Sequence, residues 1–345
     1  MTLPRSYIDG FLVEWEAGEY KAEVKSMRQK SRAIVPEIPS LAGGGKGAKA
    51  TATRAQAVRD RLARTIKRVP EVMVKITSSC KGMKQIGRHL DYISRKGQIE
   101  IEDQDGFVLS GKDALKELKE DWRIGGPEEI GAESTVRDTL NVVFSMPAHT
   151  DELSMKRAVR AFAAEQFQGH QYVWAYHTQA TDPDPDPPAH PHVHLSVKTQ
   201  GRSGRRLNPR KADLQQWRQG FAAQLRVHGI EANATSRLAR LKRERGEKRS
   251  VIALRARGEG PLAEAGQAPV ASEVRTSRGR KLEADRRAYY ALAAKTLVQS
   301  QDQGDRELGR ELADSLLSQP KNQDLDHGAQ WQVAPTKSGP ERSRE

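Results

Sequence analysis

Five of the nine histidines in this 345-residue chain, His170, His177, His190, His192 and His194, fall within 25 positions. His192 and His194 stand two apart in HVHLSVKT (192–199), whose alternation reads as a strand, so both rings leave the same face. His177 lies near the end of the preceding apolar run, QYVWAYHT (171–178). Antiparallel pairing of the two runs through the 179–191 loop brings His177 next to His192 and His194. Three neutral imidazoles at one point suit Mn, Zn, Fe, Co or Ni and leave positions open for a substrate oxygen. His190 keeps the same spacing of two, but Pro191 leaves its direction open. The alternative arrangement is a pair of half-buried strand histidines with a chance neighbour. In the spacer TDPDPDPPA, Asp182, Asp184 and Asp186 either orient a ring N–H or belong to a stiff, solvated insert, and the second is expected for at least two of them.

Tyr92 sits in HLDYISRKG with Arg88, Arg95 and Lys96 within four positions. Neighbouring cations stabilise a phenolate and also neutralise a phosphate. A phenolate attacking a phosphodiester gives a phosphotyrosine link, which is covalent catalysis. Taken alone, a tyrosine at such a position more often packs a helix.

These groups need elements to hold them. VMVKIT (72–77) reads as a strand with Val72, Val74 and Ile76 on one face. KQIGRHLDYISRKG follows as a helix, with Ile86, Leu90 and Ile93 at helical spacing and Gly97 as its stop. A short strand at 106–109 and a helix at 112–123 come next. TLNVVFSMP (139–147) is a strand ended by Pro147. Helix 151–167 turns Leu153, Val159, Phe162 and Phe167 toward a core. After the two histidine strands, helix 209–228 carries Leu214, Trp217, Phe221 and Leu225 on one stripe. Two consecutive strands joined by a loop, amid helices, predict an α+β or α/β sandwich with antiparallel pairing at its centre. Residues 1–69 read as a basic, flexible extension containing the linker LAGGGKGAKATATRAQ, and 246–345 as mostly helical or disordered, with helices at 281–298 and 305–318.

Composition narrows the function classes. The formal charge is +13, only 36% of residues are hydrophobic, and there is one cysteine, Cys80. That excludes an internal disulfide framework and a multi-cysteine zinc site. The N-terminus carries acids where a secretion signal needs an apolar run, and no apolar stretch is long enough to insert in a membrane; a reducing, cytoplasmic location is expected. Residues 201–257 hold sixteen Lys and Arg against four acids. Clustered cations of this kind are either a solvated surface or a polyanion footprint, nucleic acid first. Thr235, Ser236 and Arg237 offer hydroxyl and guanidinium donors to phosphates, or equally a helix cap and surface charge.

Four blocks, LDYISRKG, NVVFSMPAHTD, AYH followed by HPHVHLSV, and HGIEANATSR, stand in an order that resembles the relaxases of conjugative and mobilizable plasmids, in particular the P-class mobilization relaxases, whose relatives include a T-DNA border endonuclease. The likeness covers residues 70–245. It implies the HUH-type endonuclease fold, a central antiparallel sheet flanked by helices in the α+β class. It implies that Tyr92 attacks one DNA strand at the nic site of an origin of transfer, stays on the 5′ phosphate and leaves a free 3′ hydroxyl. Ser145 would contact DNA near the scissile phosphate. His177, His192 and His194 would hold a divalent ion, Mg²⁺ or Mn²⁺, with His177 also assisting proton removal. By their charge, Arg95, Lys96, Arg205, Arg206, Arg210, Lys211 and Arg237 would bind DNA. The implied partners are single-stranded and supercoiled origin DNA, relaxosome accessory proteins and a type IV coupling protein, in a bacterial cytoplasm from which the enzyme travels with its DNA. The family usually has an Asp two residues after the first His. Here that position is Gln179, so a supporting acid would come from Asp182, Asp184 or Asp186, or from elsewhere, and His190 is the alternative ligand to His177. An HUH replication initiator or transposase, a metal phosphodiesterase that uses water, and a non-catalytic basic nucleic-acid-binding protein are the other readings.

Overall fold

The runs predicted as strands pair into one antiparallel sheet, because their β-branched and aromatic residues can be buried only between two layers of helices. The computed structural model describes residues 2–26, 46–184, 187–235 and 273–318. In chain order the elements are α1 (Arg5–Ser26), α2 (Lys46–Ile66), β1 (Met73–Cys80), α3 (Met83–Ile93), β2 (Ile101–Asp103), β3 (Val108–Leu109), α4 (Gly111–Ile124), β4 (Thr139–Ser145), α5 (Glu152–Gln166), β5 (Tyr172–His177), β6 (His192–Lys198), α6 (Lys211–Val227), α7 (Glu273–Val298) and α8 (Gln303–Ser318). They divide into two compact units, one of residues 67–236 and one of 1–66 with 237–345.

In the first unit the strand order is β1-β4-β6-β5-β2-β3, every pair antiparallel. One face carries Val74, Phe144, Trp174, Val193 and Leu195, packed against Met155, Phe162, Trp217 and Phe221 of α5 and α6. Phe144 meets Phe162 and Phe221 edge-on, at centroid distances of 5.4 and 5.1 Å. On the other face Ile101, Val173 and Ala175 lie under Ile86, Leu90 and Ile93 of α3 and Leu115, Leu118 and Trp122 of α4. Those three α3 residues recur at i, i+4 and i+7, one stripe of a helix.

The α+β class and the antiparallel centre are as expected. Three local readings differ. Leu153 is 56% exposed: α5 buries the stripe Met155, Ala158, Val159 and Phe162, and Leu153, two residues before Met155, falls ~200° round the helix from it. The short strand predicted at 106–109 is β3 alone, joined to an unpredicted strand, β2, by a turn in which the Asp103 carboxylate accepts the Asp105 and Phe107 amides, each at 2.9 Å. Third, the stretch 1–69, expected as an extension, holds two helices. Residues 46–56 of the expected linker lie inside α2; four alanines there favour helix once the glycine run has passed.

In the second unit α1, α2, α7 and α8 share a core of Ile8, Leu12, Trp15, Val58, Leu62, Tyr290, Leu297, Leu308 and Leu312. Buried Arg59 ties it, pairing with Asp9 at 2.7 Å and Asp305 at 2.6 Å. No helix among the described residues is long and apolar enough to cross a membrane.

Phe144→Ala removes the ring on which two helices meet the sheet. It should cost about 3–5 kcal/mol, read as a lower midpoint in urea unfolding.

Candidate metal centre and its tyrosine

The register of the β5–β6 hairpin places His177 opposite His192. His194, two residues on, shares that face of the sheet because side chains alternate along a strand. The three rings form a near-equilateral triangle, with centroids 5.2, 4.9 and 5.0 Å apart. One nitrogen from each lies within 4.8 Å of the others. His190 lends only its carbonyl, which meets His192 Nδ1 at 3.1 Å; its ring is exposed. With a proton on Nδ1 directed at that carbonyl, His192 Nε2 is left as a lone pair. Burial pushes the pKa of His192 below its usual value and that of His194 down to about 2, so both rings are neutral and able to act as ligands.

His177 is fixed at both nitrogens. Nδ1 is 2.8 Å from Asp182 Oδ2 and Nε2 is 2.7 Å from the Ile93 carbonyl oxygen. A neutral imidazole carries one proton and so satisfies only one of two acceptors. With Nδ1 given to the carboxylate, an ion bound at Nε2 would have to take the place of the Ile93 carbonyl. With Nε2 so released, the three imidazole nitrogens fit a divalent cation.

Asp182 is the fulcrum. Its side chain is fully buried. Arg95 grips it with two hydrogen bonds of 2.8 Å, from Nε to Oδ1 and from Nη2 to Oδ2. The Arg95 guanidinium, followed by the His177 ring and the Asp184 amide, holds the Asp182 carboxyl far below the usual carboxylate range, against burial. Asp184 is more exposed, 3.7 Å from Arg95 Nη2. Asp186 lies outside the described residues.

Tyr92 occupies the last turn of α3. Ile93 beside it is buried, whereas Tyr92 is 52% exposed. Its ring stands edge-on to His194, centroids 5.6 Å apart. The Arg95 guanidinium lies 4.7 Å from the Tyr92 ring centre and Nη1 donates to the Tyr92 carbonyl at 3.1 Å. Arg95, Lys96 and Gly97 all take positive φ. At Gly97 a Cβ would come within 2.6 Å of the Gly111 carbonyl carbon, so only glycine fits there. This left-handed run turns the Arg95 side chain back toward the hairpin.

Ser145 ends β4 opposite His192 and is buried, its hydroxyl donating to the Pro191 carbonyl at 3.2 Å. Lys96, Arg205, Arg206, Arg210 and Lys211 are exposed. Arg206, with Lys81 and Arg137, lines a cavity of about 560 Å³. Arg210 caps α6, its amide held by Asp213 at 2.6 Å. Thr235 gives its amide and hydroxyl to Glu71. Ser236 and Arg237 lie outside the described residues. His89 was not singled out from the sequence. It stands one turn before Tyr92, their rings 6.2 Å apart, with a buried Nε2 that has no partner among the described residues. Its spacing from Tyr92 was the available signal.

Asp182→Asn keeps the shape of the acid but not its charge. It should lower Mn²⁺ affinity about 10–100-fold, measured by isothermal titration. Burial holds the His89 pKa near 4, below the usual 6.5. The unfolded chain then takes up a proton first as the solution is acidified, so this contribution to stability is complete above pH 6.5 and is lost as pH falls toward 4. Replacing His89 with Gln should make the loss of melting temperature across that window shallower.

Residues 92–230 match the family model described as Relaxase: MobA/VirD2-like, nuclease domain. Among curated proteins, the T-DNA border endonuclease VirD2 of Rhizobium radiobacter is 29% identical over 127 residues, 33% of this chain and 30% of the relative. The chain thus matches just under a third of that relative's length. The segment that holds the tyrosine and the histidine trio is similar to the MobA/VirD2-like relaxase nuclease domain.

Proposed function

We propose that this protein nicks one strand of DNA at an origin of transfer, with Tyr92 as the nucleophile. The observation that carries the reading is an exposed phenol held edge-on to a triangle of histidines, 5.6 Å from the His194 ring centre. A large aromatic left half in solvent beside a buried polar cluster forgoes the stabilisation of burial, which favours a role in binding or chemistry.

In this reading Tyr92 Oη forms a bond to phosphorus, the bond to the 3′ oxygen breaks, and that oxygen takes up a proton. A divalent ion held by His177, His192 and His194 would supply charge stabilisation for the phosphate oxygens. The all-nitrogen donor set suits Mn²⁺ better than Mg²⁺. Arg95 orients the ring of Tyr92 and, through Asp182, the ring of His177. His177 assists proton removal only in a state where its Nε2 is released from Ile93 and does not hold the ion, since Nδ1 is engaged by Asp182. Ser145 lines the same face and sits near the phosphate path, while Lys96, Arg205, Arg206, Arg210, Lys211 and Arg237 supply counter-charge along the strand. One phosphodiester is exchanged for another ester, so the step is close to reversible and rejoins ends without ATP. Relaxosome accessory proteins, a type IV coupling protein and a cytoplasmic site of action complete the proposal.

Tyr92→Phe should abolish a covalent adduct with a labelled single-stranded origin oligonucleotide, run on a denaturing gel with Mn²⁺, while leaving DNA binding intact. His192→Ala combined with His194→Ala should remove both bound metal and cleavage. Turnover without any adduct in the unaltered protein would instead indicate a water-using phosphodiesterase, and binding without cleavage under any divalent ion a non-catalytic DNA-binding protein.

A further inference from the structure

Past His192 and His194, the same face of β6 carries Ser196 and then Lys198. Lys198 lies four residues beyond His194, ~13 Å along the strand. Ser196 is satisfied by Asn141 at 3.0 Å. Lys198 is not: the residue is 4% exposed, yet Nζ has no hydrogen-bond partner among the described residues. The amine rests 5.6 Å from the Trp122 ring centre. Burial lowers its pKa to about 8, with the Asp121 charge acting the other way. A methionine would fill the same space without the cost of burying an ammonium group.

Next to it, Gln171 Oε1 is likewise buried and unpartnered, while the amide nitrogen of that side chain donates to Asp121. Gly126 faces the amine, and a Cβ there would lie 3.6 Å from Nζ. Both side chains line one cavity of about 360 Å³, room for a base and its sugar. Asp103, Asp105, Asp121 and Arg202 also line it, together with Phe107, which is 67% exposed on the β2–β3 turn.

Three carboxylates around one buried cation disfavour a phosphate. They suit a flat heterocycle with acceptors on one edge, N–H donors on another, and a π-face for an aromatic ring. Guanine has this pattern: O6 and N7 accept from a lysine, N1–H and N2–H donate to amide or carboxylate oxygens, and its face stacks on phenylalanine. We propose that this cavity reads a guanine of the single-stranded DNA substrate, with Lys198 on the O6/N7 edge and Gln171 and the neighbouring carboxylates on the donor edge. The proposal deepens the nicking reading and rests on it for the source of the base.

Fluorescence anisotropy on the full chain would compare an oligothymidylate with the same oligomer carrying one central guanine. The guanine probe should bind about tenfold tighter. Lys198→Met should erase that preference while leaving the all-thymine affinity unchanged. Phe107→Ala, on an exposed turn and harmless to folding, should weaken the preference. Equal binding of both probes by the unaltered protein, or a parallel loss for both probes in Lys198→Met, overturns base reading. Calorimetric titration with dGMP against dTMP tests the pocket without any nicking. Selective dGMP uptake in a chain that forms no adduct supports the pocket while defeating the relaxase reading. Adduct formation without preference for guanine or dGMP defeats the pocket alone.

Discussion

One buried carboxylate holds the candidate site together. Asp182 accepts from Arg95 on the helix that carries the tyrosine and from His177 on the hairpin that carries the imidazoles. Neither half is rigid toward the other by backbone pairing, since α3 is not part of the sheet. A buried carboxylate tolerates its lost hydration only when fully paired. Removing one partner from such a pair typically costs about 3–5 kcal/mol. The energy that keeps Asp182 in place is thus also what fixes the distance between phenol and histidines.

The gathering of the histidines was legible in the sequence and the wiring around them was not. Alternation along two consecutive strands put His192 and His194 on one face, and the hairpin register then sets His177 beside them rather than His190. Asp182 was harder. Three acids in an Asp-Pro spacer look alike, and only folding shows that one turns inward while Asp184 stays largely outside. Arg95 read as a DNA contact by charge alone, but its side chain turns inward to Asp182. The left-handed run before Gly97 decides this, and side-chain type carries no signal of backbone handedness. Lys198 was silent for a related reason: a lysine at the end of an apolar strand normally reaches solvent, and Trp122, which lies next to its amine, is far away in sequence.

The helical unit shows the opposite limit. Trp15 and Tyr289 stack at 5.2 Å across more than 270 positions of chain, a contact no local pattern announces. The glycine run before Lys46 has the composition of a linker and hides the alanine-rich start of α2. The apolar residues of α2 look like short clusters because the face they pack against is supplied by α1 and α8.

The loop between His177 and His192 places its acid five residues after the histidine, where a tighter turn would place it two after. What the site demands is a carboxylate at one point in space, and any loop that delivers one there will serve. Because the delivered oxygen must also meet a guanidinium on a different segment, a shorter loop grafted from a relative would strand Arg95 unless the α3 turn were transplanted with it. The two segments are, for heredity as well as for engineering, a single exchangeable cassette.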